Sequence, residues 1–147
     1  VIISRAPVGA PSWWPDLLRG NGILADRDGR ELAAWTALAG PAAEFPLALR
    51  LAALARALAA HLSEVDVEHR RRLFEILERV FVTGSEYDAA AVATGFFEAL
   101  LNAWDRGFPL RAVWSQLGPE SRAYCLAWNE LSGMDSPEWM YEGDVGR

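Results

Sequence analysis

The chain of 147 residues contains no lysine; all fourteen of its basic residues are arginine. Chemistry that runs through a Schiff base or a lysine acid–base group is therefore excluded. A single cysteine, Cys125, allows no internal disulfide and fits a reducing, cytoplasmic compartment. No glycine-rich phosphate loop, nucleophile elbow or paired zinc-ligand motif occurs. The longest apolar stretches are broken by charges, as at Arg50, Arg56 and Glu98. None approaches the roughly 20 residues that a membrane span needs, and no basic segment leading into an apolar one reads as a secretory signal. These absences predict a protein that is not an enzyme, holds no cofactor or metal and does not engage a membrane.

What is present is core-forming material. Hydrophobic residues make up 52% of the chain, with seven Trp and six Phe, which argues against disorder. The length suits one domain, long enough to bury about two-thirds of its unfolded surface. Seven tryptophans also leave room for a homo-oligomer patch.

The charge is unevenly placed. Residues 1–73 hold eight carboxylates and nine arginines, a balance of +1; residues 74–147 hold twelve and five, a balance of −7, giving the overall −6. A one-sided acidic surface favours cationic partners and disfavours nucleic acid.

Apolar periodicity predicts an all-α protein, a compact bundle or short solenoid of five to six helices in a single domain. Residues 1–29 read as an irregular arm followed by turns at Asn21-Gly22 and Asp26-Arg27-Asp28-Gly29, with Pro15 discouraging helix at Trp14. Helices are expected over 31–39, ended by Gly40-Pro41, and over 43–62, with a stripe of Leu47, Leu51, Leu54, Leu58 and Leu62. A third, over 67–83, is capped by Ser63 or Asp66 and buries Leu73, Ile76, Leu77, Val80 and Phe81. The fourth, over 86–105 and capped by Ser85 or Asp88, is apolar almost all round (Val92, Phe96, Phe97, Leu100, Leu101, Trp104), hence the central one. Short helices follow over 110–117 and 120–131, and residues 134–147 form a tail with one turn at Ser136-Pro137-Glu138.

Metal-ligand residue types cluster at one place, where His61 and His69 flank Glu64, Asp66 and Glu68. The cluster crosses a helix break and lacks the His-to-His step of a helical zinc site, so a solvated interhelix turn is the reading. Glu75-x-x-Glu78 is read as a solvated helix face, because no Glu-x-x-His motif accompanies it. The Arg70–Arg72 run is assigned ion pairs with Glu75 or Glu78. Glu98 lies either on the exposed stripe of its helix or buried and paired, with Arg the expected partner. Cys125 reads as a buried, inert thiol.

The candidate binding surface combines acids with aromatics. Glu86, Tyr87 and Asp88 open the fourth helix, Asp105 closes it, and the tail adds Asp135, Glu138, Trp139, Tyr141, Glu142 and Asp144. Trp and Tyr beside carboxylates are ingredients of an interface against a basic protein.

Three segments carry a resemblance: Arg72-Leu73-Phe74-Glu75-Ile76-Leu77-Glu78, then Val92 to Leu101 with Phe96-Phe97-Glu98 at its centre, then Leu117-Gly118-Pro119-Glu120-Ser121-Arg122. In this order the region 69–133 resembles a family of small helical bacterial proteins that includes immunity-like members of polymorphic toxin loci. The resemblance does not reach residues 1–62. It implies a helical protein that binds and neutralises a cognate toxin without catalysis of its own. It transfers no functional residues, because an immunity surface varies with its toxin. The alternative is a helical adaptor or scaffold for another cellular protein.

Overall fold

Leu47, Leu51, Leu54 and Leu58, three or four residues apart, turn one face of α3 (Leu47–Ala60) into the core, and all four are buried. In the computed structural model, which describes residues 9–142, α3 packs most closely on a long apolar helix. That helix runs unbroken through α5 (Glu86–Ala91), a π-helical segment (Val92–Phe97) and α6 (Glu98–Asp105). Val92, Phe96, Phe97 and Leu100 are fully buried, so it is the central helix that its sequence predicts. With this helix counted once, α1 (Trp14–Leu18), α2 (Gly22–Ala39), α4 (Val67–Thr83), α7 (Arg111–Trp114) and α8 (Pro119–Leu131) complete seven helices among the described residues. Short 3-10 turns lie at Leu62–Glu64 and Glu138–Tyr141. Among the described residues there is no strand, and no helix is long and apolar enough to cross a membrane. The fold is all-α.

The π segment has a packing role. Gly95 faces α3 so closely that a Cβ on it would lie 2.4 Å from the carbonyl oxygen of Ala48. The wider π turn and the missing side chain together let the two helices meet there. On the other side Phe96 and Phe97 meet Phe74 and Phe81 of α4 edge to face.

α4 has the bounds that its sequence predicts. Asp66 caps it by accepting from the His69 amide at 2.9 Å, and Leu73, Phe74, Ile76, Leu77 and Val80 are buried. Glu78 on this helix is not a solvated residue. Its carboxylate accepts from the Glu120 amide (3.0 Å), the Ser121 amide (2.9 Å) and the Ser121 hydroxyl (2.6 Å). It therefore caps the N-terminus of α8 from another helix, supplying negative charge where the helix dipole favours it. Gly118 makes room, since a Cβ there would overlap the Glu78 side chain. Glu75 does pair with the arginine run, through Arg71, which also holds Glu68.

Residues 1–8 of the expected arm lie outside the described residues, and the stretch after them departs from its sequence reading. Trp14 and Pro15 form the first turn of α1, where the missing proline N–H has no partner to lose. α2 starts at Gly22, capped by Asn21, and passes straight through Asp26-Arg27-Asp28-Gly29. Turn-favouring composition loses here to a tertiary contact. Asp28 accepts from Arg50 Nε (2.8 Å) and Nη2 (2.7 Å) and from Trp14 Nε1 (3.2 Å), while the guanidinium lies 4.6 Å from the Trp14 ring centre. One carboxylate thus joins α1, α2 and α3.

Candidate partner-binding surface

Carboxylates of this chain divide by what they touch. Asp16, Glu31, Asp28, Glu68 and Glu75 pair with arginine, and Glu64 and Asp66 with His61 and His69. Each histidine is therefore engaged by its own neighbouring acid. His69 also turns its Nε2 against Gly20, whose φ of +75° turns the chain there. Among the described residues no three His, Cys, Asp or Glu side chains converge as metal ligands do.

Glu98, on the wall of a cleft of about 610 Å³ between α3 and α6, accepts from the Tyr124 hydroxyl at 2.7 Å. Its partner is a phenol, not the arginine that the sequence suggested. Burial, then the adjoining Glu98 carboxylate, push the Tyr124 hydroxyl well above its ordinary 10.0. Burial alone pushes the neighbouring Cys125 thiol from 9.0 to about 12. Both groups are thus held protonated in the fold but ionise readily once unfolded. Their contribution is complete below pH ~9 and is lost as pH rises through 9 and 10 toward the folded values. Thermal melts from pH 7 to 10.5 are expected to show Tm falling above pH ~9. Tyr124→Phe should flatten the part of that fall above pH ~10; a Tm constant to pH 10.5 would refute this.

In the second half, Glu86, Asp105, Glu120, Glu130, Asp135, Glu138 and Glu142 are exposed, and among the described residues their carboxylates have no hydrogen-bond or ion-pair partner. The acids expected to form one surface fall into two groups. Glu86, Tyr87 and Asp88 begin the long helix and Asp105 ends it; at 1.5 Å per residue these ends lie about 28 Å apart. In the first group Asp88 is already engaged, accepting from Trp13 Nε1 at 2.9 Å. Glu86 and Tyr87 remain exposed beside it.

The second group is built on the tail. Trp139 packs edge to face against Trp104 at 5.8 Å and Trp114 at 5.8 Å, the Trp114 indole donates to the Met140 carbonyl at 3.1 Å, and Met140 is fully buried. Asn129 of α8 donates to Ser136 at 3.0 Å. The described part of the tail, residues 134–142, is thus docked against α6, α7 and α8. Asp135, Glu138 and Glu142 of this segment are exposed, as are Asp105 at the end of α6, Glu130 near the end of α8 and Tyr141, while Trp139 is half-buried. From Glu98 to Glu142 the chain holds seven carboxylates and three arginines, Arg106, Arg111 and Arg122, a balance of −4. Asp144 lies outside the described residues.

Two of these acids occupy unfavourable places. Asp105 is the last residue of α6 and Glu130 is in the last turn of α8, and neither turn holds a basic residue. A carboxylate at a helix C-terminus opposes the dipole, by about 0.3–1 kcal/mol each. Glu130 has no neighbouring cation, whereas Asp105 is followed by Arg106 at the C-cap; local rules broken in this way are typical of functional surfaces. Glu130, absent from the sequence-based candidates, shows itself only through this position and its exposure.

A family model described as "Domain of unknown function (DUF7674)" matches residues 29–133, from within α2 to just past α8. No curated protein and no solved structure matches the chain.

Proposed function

We propose that this chain, which belongs to the DUF7674 family, is an immunity-type protein of the bacterial cytoplasm that binds a cognate toxin stoichiometrically and neutralises it. The observation that carries this reading is the acidic end at the tail. Five exposed carboxylates, without a partner among the described residues, lie on the docked tail and at the ends of the helices it meets, two of them at helix C-termini where the dipole disfavours them. Such a surface suits a partner with a basic face. It speeds encounter by long-range attraction and supplies an aromatic anchor on contact. The resemblance over residues 69–133 gives the class of partner, a toxin of the same locus. Inhibition follows when the acidic end covers the cationic surface with which the toxin meets its own target.

Charge reversal tests the surface. Asp105→Arg together with Glu138→Arg should slow association with the toxin by at least ~10-fold at low salt, and by less as salt screens the field. Glu86→Arg, about 28 Å away on the same helix, should change the rate much less. Equal slowing by Glu86→Arg and the tail pair, or none by either, would refute the assignment to the tail end.

A further inference from the structure

We infer that the cleft between α3 and α6 is a binding site for a straight-chain carboxylate, its alkyl chain lying along the cleft and its carboxylate held by Arg56 and Arg106. The cleft begins beside the close contact of Gly95 with Ala48. From there its lining follows both helices toward their C-terminal ends, along Ala52, Arg56 and Ala59 on one wall and along Glu98, Asn102 and Arg106 on the other. The inner surface is small and apolar: Gly95, Ala99 and Phe108 are buried, and Ala52, Ala59 and Ala103 half-buried. Its volume of about 610 Å³ lies within the range of small-molecule sites, about 300–1,000 Å³.

Shape selects an extended occupant. Gly95 and Arg106, both in the lining, are ~16 Å apart along the helix at 1.5 Å per residue. Spread over that length, about 610 Å³ leaves a mean cross-section of about 40 Å². An α-helix, about 10 Å across with its side chains, needs about twice that section. An extended peptide would bring backbone N–H and C=O groups against alanine methyls, which cannot pair with them. An alkyl chain needs neither the width nor the partners.

Charge selects an anionic end group. Arg56 and Arg106 come from opposite walls, and neither side chain has an ion pair or hydrogen bond among the described residues. Arg19, Arg27, Arg50 and Arg71, by contrast, each hold a carboxylate of this chain. The one acid of the lining, Glu98, already accepts from Tyr124 and precedes Arg106 by eight residues, ~12 Å along the helix. Two arginines against one carboxylate give the lining +1 in a chain of −6. Asp105, although next to Arg106 in sequence, is not among the lining residues. A ligand carboxylate between the two guanidinium groups accepts charge-assisted hydrogen bonds from both. Its alkyl chain then lies on the alanine floor toward Gly95, where the site offers no further cation.

Isothermal titration calorimetry of the full chain with sodium decanoate tests the site, and since it needs no toxin its outcome is separate from that of the toxin reading. One equivalent should bind with a Kd on the order of 10–100 µM. Arg56→Gln together with Arg106→Gln should weaken decanoate by at least ~10-fold and leave the weaker binding of 1-decanol unchanged. Ala103→Leu and Ala59→Leu, one on each wall, should weaken both ligands by filling the cleft, with circular dichroism showing each variant folded. Arg111→Gln, outside the lining, should change neither. The absence of saturable one-to-one binding would overturn the proposal, as would decanoate binding that survives the arginine pair or both alanine variants. Binding to phosphatidylglycerol vesicles without binding to free decanoate would overturn it too, and would give the arginines to a membrane surface.

Discussion

Asp28→Ala is expected to destabilise the protein by about 3–5 kcal/mol, the cost of removing one partner from a buried ion pair. The Asp28 and Arg50 side chains retain only 9% and 12% of their exposure, and the pair is bidentate at 2.7 and 2.8 Å. Without the carboxylate, Arg50 keeps its charge among Trp14 and Phe45, and Trp14 loses the acceptor of its indole N–H. Asp28 also joins three helices, so the loss falls on the docking of α1 and α2 together. Urea unfolding followed by tryptophan fluorescence measures it. An Asp28→Ala, Arg50→Leu double variant should recover much of the loss, because replacing both charges by apolar groups leaves nothing uncompensated. A single-variant cost below about 1 kcal/mol would mean that the pair is solvated as surface pairs are.

Gly95→Ala is the second large effect, expected at about 3 kcal/mol or more although it adds one methyl group. The new Cβ would lie 2.4 Å from the Ala48 carbonyl oxygen and 2.9 Å from the Ala48 Cα. Both are backbone atoms of α3 and cannot rotate aside, so the two central helices must separate. Gly29→Ala provides the contrast. Gly29 is also helical but has nothing within 4 Å of its Cβ position, so alanine should stabilise there by about 0.5–1 kcal/mol through helix propensity. Similar melting temperatures for the two variants would show that the close approach at Gly95 does not limit packing.

These two sites also show what the sequence can disclose. Periodic burial is a local signal, and α3, α4 and the helix spanning 86–105 follow from their apolar spacing. Asp28 and Glu78 owe their roles to partners 22 to 43 residues away, and no local pattern distinguishes them from turn or surface acids. Local composition therefore placed a turn at Asp26–Gly29 where tertiary pairing extends a helix. The π segment was hidden for the same reason, since it answers to Ala48 on another helix. At the candidate site, composition reveals the acidity but not its arrangement. The separation of Glu86 from Asp105 follows from helix length alone, once the helix is known to be unbroken. The docking of the tail depends on Trp139 finding Trp104 and Trp114, three aromatics from three different elements.

If the tail end meets a cationic toxin, as proposed, co-expression of this chain with the product of the gene immediately upstream tests it most directly. Affinity capture at low and at high salt then reads both complex and charge dependence. The expected result is an equimolar complex that weakens with salt, and cells that survive the upstream product only when this chain is present. No complex at low salt and no rescue would contradict it, and would leave the fold as that of a helical adaptor with another partner.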